Sequence, residues 1–258
     1  MEINLLPKFL DEAVTPVAQT VGNTLSSIWT IAFGSIDIYS EKTTYKRKVA
    51  FNKFIEELEH KVSSVPEENI VEPPLHLIGP TIDAAKYYFE SDVLRSMFSN
   101  LIAASIDVNS VSKAHPSFVE IIKQLSPLDA KNMEVFKSRS INPIVNYIFI
   151  LKDGKGEVNY LTNVFMESQG VFDIDLNAAS LSNLTRLGLV NIDFDRELTD
   201  ESRYDQYLNY PSYNHLKEII INDKADPEDY LYQFEDIRLQ KGLVGTTPFG
   251  KNFVDICI

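Results

Sequence analysis

The chain has 258 residues, of which 44% are hydrophobic and 24% are charged, a composition typical of a globular protein. Its formal net charge of −13 disfavours a nucleic-acid backbone as partner, because phosphate contacts require clustered Lys and Arg. Its one cysteine cannot form an internal disulfide, which favours a reducing, cytoplasmic location, and its apolar runs are too short for a conventional transmembrane helix.

The N-terminal part is predicted to be helical. MEINLLPKFLDEAV lacks the basic and apolar regions of a secretion signal, and apolar spacing predicts that residues 4–62 are largely helical. The most apolar stretch, residues 25–39, precedes the basic sequence KTTYKRK, so two interpretations stay open: a core helix, or an amphipathic helix on an anionic membrane. The side chains assigned to that membrane contact are Ile28, Trp29 and Phe33.

Prolines divide the next part of the chain into short helices. The sequence predicts elbows at Pro73-Pro74, Gly79-Pro80 and His115-Pro116, because proline restricts both itself and the residue before it. A helix is predicted over about 91–107, with Ser91 as its N-cap. The small residues 103–105 could pack within the chain or between subunits of an oligomer, and the sequence does not distinguish these.

Ser126 is predicted to cap a helix that begins at Pro127, a residue type favoured at the first helical position. Beyond residue 140 the pattern becomes that of strands. The sequence predicts strands at 144–151, 189–194 and 243–247, a turn at 152–156, a helix at 176–188 ending at Gly188, and a final helix from Pro248. Residues 158–165 and 215–221 are compatible with either strand or helix, and 195–213 with a loop or insertion.

This order of elements predicts a mixed α+β fold, mostly α. We expect an N-terminal helical bundle over residues 1–125 and a winged-helix-like domain over 126–258, with an insertion near 195–240. A capped helix, a Leu-rich helix ending in RLGLV and a following strand are typical of a winged-helix unit.

Motifs for catalysis, cofactors and metals are not evident. His60, His76, His115 and His215 lack the i, i+3 or i+4 spacing of a metal site, and neither HExxH nor CxxC is present. The sequence has no GxSxG elbow and no phosphate-binding GxxxxGK[ST] loop. Cys257 lies near the end of an apolar helix, where a structural role is expected. We therefore assign no catalytic, cofactor-binding or metal residue.

The winged-helix prediction requires a test for DNA binding. Residues 127–258 carry 13 Lys and Arg against 21 Asp and Glu, and the predicted helix 176–188 contains one base, Arg186. A DNA-reading helix normally makes several phosphate contacts besides its base contacts. Nucleic acid is thus disfavoured, and Arg186 is assigned to contact with a protein partner.

Several segments resemble one known family. The sequences ENIVEPPLHLIGPTIDAAKYYFESDVLRSMFSNLIAASID and HPSFVEIIKQLSPLDA, with SLSNLTRLGLV and TPFGKNFVDICI near the end, are similar to the abortive-infection alpha family. The resemblance covers about residues 15–258, and residues 195–240 are its least typical part. It implies a bacterial protein with a role in phage defence, and it brings no catalytic residues with it.

Two hypotheses about function follow. In the first, the protein is a non-enzymatic anti-phage factor that acts through protein–protein contacts, in the cytoplasm or at the membrane surface. In the second, it is a prophage or host regulator that binds DNA through its winged helix. A hydrolase that uses carboxylates outside any known motif is a third, weaker alternative.

Overall fold

A computed structural model describes residues 16–33, 45–168, 170, 173–222 and 226–258. Helices dominate, and the strands β1 to β4 form a four-stranded antiparallel sheet, so the predicted mixed α+β, mostly helical fold class is confirmed. The chain divides into two units, Met1–Ala130 with Asn252–Ile258, and Lys131–Lys251. The predicted boundary at residue 125 precedes helix α6, whereas the units divide within it.

The first unit is built from helices. Residues 4–15 and 34–44 of the predicted N-terminal helices lie outside the described ranges. The helices of this unit are α1 (Pro16–Phe33), α2 (Tyr45–Ser63), α3 (Leu75–Ala85), α4 (Asp92–Ser105) and α5 (Ser117–Gln124). Two further helices, α6 (Pro127–Ser138) and α10 (Pro248–Cys257), each contribute residues to both units.

Aromatic side chains fill the core between α1 and α2. The Trp29 ring lies 4.3 Å from Phe33 and 5.6 Å from Phe54, and Phe33 lies 5.5 Å from Phe51, measured between ring centroids. All four side chains are buried. Rings at these separations contribute about 0.5–1.5 kcal/mol per pair beyond the area they bury. The apolar stretch of α1 therefore faces the interior of the unit.

A buried polar cluster joins α2 to α4. The Arg95 guanidinium pairs with Glu57 at 3.0 Å and with Asp92 at 2.7 Å, and the Lys61 ammonium pairs with Glu57 at 3.0 Å. Burial by itself raises the pKa of Glu57, but hydrogen bonds involving Ser96, Lys61 and Arg95 outweigh it and hold the pKa below its ordinary value. The cluster thus keeps Glu57 ionised between the two helices.

Two local predictions in the proline-rich part are wrong. The expected elbow at Gly79-Pro80 is absent, because Pro80 lies inside the continuous helix α3. Proline removes one backbone hydrogen bond there, and Gly79 has no Cβ to clash with the proline ring. Ser91 precedes α4 as predicted, but its side chain makes no capping hydrogen bond.

The predicted caps of α6 and of the next helix, α7, are better defined. The Ser126 hydroxyl accepts from the Asp129 N–H at 3.1 Å, and the Asp129 carboxylate accepts from the Ser126 N–H at 2.7 Å. This reciprocal pair confirms the predicted cap. Helix α7 begins after Asp173, whose carboxylate accepts from Leu176 N–H, and ends before Gly188, at φ 72°. A left-handed residue at this position favours glycine.

The second unit is built on the sheet. Its strands are β1 (Ile141–Leu151), β2 (Glu157–Val164), β3 (Val190–Asp193) and β4 (Phe234–Thr246), in the order β2-β1-β4-β3. Its further helices are α7 (Ile174–Arg186), α8 (Asp205–Leu208) and α9 (Pro211–Ile221). The open alternatives at 158–165 and 215–221 are thus settled as strand and helix.

The long strands β1 and β4 form the centre of the sheet. They pair from Ile141 opposite Gly245 to Leu151 opposite Phe234. Residues 142–149 of β1 are buried on both faces, which explains the continuous apolar run in the sequence. Strand β4 begins nine residues earlier than the predicted strand at Leu243, because its first part alternates between buried and exposed residues and carries several charges.

Candidate interaction surfaces

Buried tyrosines attach residues 194–222 and 226–233, which follow β3 and precede β4, to the sheet. We call these residues the cover segment. The Tyr204 hydroxyl donates to Gly242 O at 2.8 Å and accepts from Leu198 N–H at 3.0 Å. The Tyr147 hydroxyl donates to Tyr207 O at 2.8 Å. The region predicted as a loop or insertion is therefore a folded part of the second unit.

The Tyr207 hydroxyl is used as both donor and acceptor. It donates to Pro143 O at 3.1 Å and accepts from Met166 N–H at 3.2 Å. Burial raises the pKa of Tyr147 and of Tyr207 well above the ordinary value. These hydroxyls stay protonated and act as structural hydrogen-bond groups rather than as bases.

Exposed tyrosines lie at one end of the sheet. Tyr160 on β2 and Tyr230 and Tyr232 in the cover segment are 41%, 61% and 41% exposed. We call these three rings the aromatic surface. Exposed tyrosines suit a binding surface, since they combine a large apolar ring with a polar hydroxyl and few rotatable bonds.

A ladder of ring contacts holds the aromatic surface in place. Tyr160 lies 4.7 Å from Phe149, Phe149 lies 4.4 Å from Phe234, and Phe234 lies 5.1 Å from Tyr230. Phe149 and Phe234 are buried and belong to the core of the unit. The exposed rings are therefore positioned by core residues.

Sequence reasoning missed the aromatic surface. Tyr230 and Tyr232 come from the part of the chain least typical of the recognised pattern, and Tyr160 from a strand that was ambiguous. The available signal was two tyrosines at alternate positions beside a run of acids, ADPEDYLYQFED. Only the pairing of β1 with β2 and β4 brings these positions together.

The predicted partner residue Arg186 lies on the exposed side of α7, in the last turn. Its guanidinium donates from Nε and Nη2 to the Asn183 side-chain oxygen at 3.1 and 2.7 Å. Leu176 at the other end of α7 is 56% exposed. This face thus presents one cation and one apolar side chain.

The residues predicted to contact a membrane lie mostly inside the first unit. Trp29 and Phe33 are each 2% exposed, and Ile28 is half-buried. The exposed apolar residues of α1 are instead Val17 and Ile31. Within the described ranges, no helix combines the length and apolar character needed to cross a bilayer.

A polar cleft lies beside α6. Its volume is about 420 Å³, and Lys131, Glu134, Val135, Ser138, Glu167 and Ser168 line it. Arg203 lies 3.6 Å from the Glu167 carboxylate, and Gln206 donates to the same group. Glu167 thus serves to connect the cleft to the cover segment.

Neighbouring buried amides and hydroxyls satisfy one another. The Asn132 side-chain amide donates to Asn177 at 3.2 Å and to Ser180 at 2.8 Å, and its oxygen accepts from Ser168. The network fixes α6 against α7, as expected of a buried polar group with all its partners present.

The groups examined for chemistry have structural surroundings. Cys257 is buried, and burial raises the pKa of its thiol, which disfavours the reactive thiolate. The His115 Nδ1 atom accepts from Ser117 N–H at 3.1 Å at the start of α5. Among the described residues, no group of three or more His, Cys, Asp or Glu side chains could hold a metal ion.

Comparison with known proteins gives one family match. Residues 46–257 match the model of a family described as abortive infection alpha. No curated protein matches the sequence. A solved structure, described as the uncharacterized protein from the hydrocarbon-degrading marine bacterium Alcanivorax borkumensis SK2, is 14% identical. It aligns with 54% of this chain and 90% of its own, at a TM-score of 0.32 that carries no argument.

Proposed function

Because the chain belongs to the abortive infection alpha family, we propose that the protein acts in phage defence by binding another protein, without a catalytic step of its own. Family membership suggests the defence role. Support for protein binding comes from the aromatic surface, in which exposed tyrosines rest on core phenylalanines. Tyrosine is enriched among the residues that dominate binding energy at protein interfaces.

A phage challenge tests this proposal. Cells that express the wild-type chain, the double variant Tyr230→Ala/Tyr232→Ala or the single variant Tyr87→Ala are infected with a panel of phages, and plaques are counted. Tyr87 is a matched control, because it is 71% exposed on α3's C-terminal side in the other unit. We expect the wild type and the control to reduce plaque number and the double variant to lose protection. Equal protection by all three would contradict the assigned surface.

A capture experiment identifies the bound protein. The tagged wild-type chain is cross-linked in infected cells and compared with the double variant at equal abundance. The proposal expects a protein that is enriched with the wild type and depleted with the double variant. A capture pattern identical for the two chains would show that binding uses another surface.

DNA-binding regulation is a second candidate function, supported by the arrangement of α7, β3 and β4. Strand β3 follows α7 and pairs antiparallel with β4, and the order β1-β4-β3 is that expected of a winged-helix-like domain. The single base Arg186 on α7 weighs against it. Binding of the full chain to a labelled DNA duplex at low salt, lost in Arg186→Ala, would favour regulation. No binding at low salt would refute it.

Attachment to a membrane surface is the third proposal, in which the protein is otherwise cytoplasmic. Ile31, at 82% exposed, is the most exposed apolar residue of α1, so it contacts lipid first if α1 lies on a bilayer. The test is flotation of the full chain with anionic vesicles. Association that Ile31→Asp abolishes would support the proposal, and absence of flotation by the wild type would exclude it.

A further inference from the structure

Building on the proposed function, we infer that the aromatic surface binds a positively charged segment of its partner protein. The exposed rings are Tyr160, Tyr230 and Tyr232, as defined above. Tyrosine faces attract ammonium and guanidinium groups through the negative potential of the ring. The charges around these rings decide in favour of a basic partner.

The cover segment is acidic where it carries the exposed rings. Residues 226–236 contain five acids and no base: Asp226, Glu228, Asp229, Glu235 and Asp236. All except Asp236 are exposed. Glu228 and Glu235 form no ion pair with any described residue. Their charge is therefore available to attract a cation from outside the chain, in addition to the rings.

An internal contact shows the same recognition within the chain. The Lys152 ammonium lies 4.2 Å from the centroid of the Tyr232 ring. Tyr230, two residues away, meets Phe234 through an edge-to-face contact and keeps 61% of its surface exposed. Tyr230 can thus receive a partner cation in the way that Tyr232 receives Lys152.

The strand edge next to the surface favours binding by side chains over addition of a strand. Tyr147 pairs with Leu161 and Ile148 with Asn159, so Tyr160 is an extra, bulged residue of β2. Asn163 adopts a left-handed φ of 54° in the same strand. Bulges of this kind disrupt an edge and protect it from strand pairing.

Other occupants are disfavoured by the same charges. A nucleic-acid backbone would meet the acids of residues 226–236 and be repelled. A second copy that used this surface symmetrically would place each acidic segment against itself. A basic segment of a different protein is the occupant that the charges and rings favour together.

A labelled peptide provides the test. Fluorescein-labelled deca-arginine is titrated with the full chain in 150 mM NaCl, and binding is followed by fluorescence anisotropy. We expect Tyr230→Ala/Tyr232→Ala to weaken binding about tenfold, from the loss of two ring contacts. Glu228→Gln/Glu235→Gln is expected to weaken binding and reduce its dependence on salt. Circular dichroism confirms that each variant is folded.

Tyr87→Ala is the matched control, because Lys86 lies 5.0 Å from the Tyr87 ring, much as Lys152 lies over Tyr232. Binding that is unchanged in the tyrosine double variant would show attraction by net charge alone and overturn the inference. An equal loss in Tyr87→Ala would overturn it too, and so would no measurable binding by the wild type.

The outcome is separable from that of the phage challenge. Tyrosine-dependent peptide binding together with unchanged protection in the double variant would support the inference and contradict the proposed function. Lost protection together with unchanged peptide binding would contradict the inference and leave the function of the aromatic surface in place.

Discussion

Removal of the Tyr207 hydroxyl should destabilise the second unit measurably. Tyr207→Phe keeps the ring, which is fully buried, and removes the group that bonds to Pro143 O and Met166 N–H. Because both backbone groups lose a partner in the interior, we expect a loss of about 2–3 kcal/mol in the free energy of unfolding. For a protein of this size, the melting temperature should fall by about 8 °C.

Thermal and urea unfolding, followed by circular dichroism, measure this effect. Tyr210→Phe is the matched control. Its ring stacks on Tyr147 at 6.3 Å, but its hydroxyl bonds to none of the described residues. The control should remain within about 0.5 kcal/mol of the wild type, as surface-like substitutions do. A Tyr207→Phe variant as stable as the wild type, or a control that is equally destabilised, would refute the assigned hydrogen bonds.

The same hydroxyl predicts a dependence on pH. Burial raises the pKa of Tyr207 in the folded chain, whereas an unfolded tyrosine ionises near about pH 10. Above that pH the unfolded state releases a proton that the folded state keeps, so the wild type loses about 1.4 kcal/mol per pH unit from this residue. Tyr207→Phe lacks this loss. The stability difference between the two chains should therefore shrink above pH 10, and a constant difference would contradict the buried, protonated state.

Two further substitutions test close packing and the buried charge cluster. A Cβ at Gly250 would lie 1.8 Å from Leu189 O, so Gly250→Ala should cost about 3 kcal/mol or more. Gly188→Ala, where the site is open and φ is 72°, should cost only about 1–2 kcal/mol; equal losses would contradict the close approach. Arg95→Ala should cost about 3 kcal/mol, since it leaves Glu57 without a buried partner. That loss should diminish below about pH 4, as Glu57, whose pKa is lowered, becomes protonated in both states; chemical denaturation at pH 7 and pH 3 tests it.

Local sequence signals gave most helix ends correctly because the groups that fix them are close in the chain. Ser126 and Asp129 cap α6 across three residues, and Gly188 ends α7 through its own backbone conformation. Ser91 shows the limit of such signals, since its side chain precedes a helix without capping it. Gly79-Pro80 shows another, because a proline can be accommodated in a short helix when the residue before it is glycine.

The candidate surfaces were less accessible to sequence reasoning. The apolar stretch around Trp29 suits either a core or a membrane, and only its ring contacts with Phe51 and Phe54 place it inside. The tyrosines of the cover segment could equally have been surface residues. Tyr204 and Tyr207 are buried because their hydroxyls find backbone partners on strands distant in the sequence.

The sequence alone determined the fold class, the family and the acidic character of the chain, because these depend on composition, short-range periodicity and local motifs. Tertiary structure decided which aromatic residues are buried and which are exposed. Tyr207 and Tyr230 lie in the same polar, tyrosine-rich part of the chain, yet one is fully buried and the other is 61% exposed. That difference arises from strand pairing across about 90 residues, which brings Phe149 and Phe234 together beneath the exposed rings.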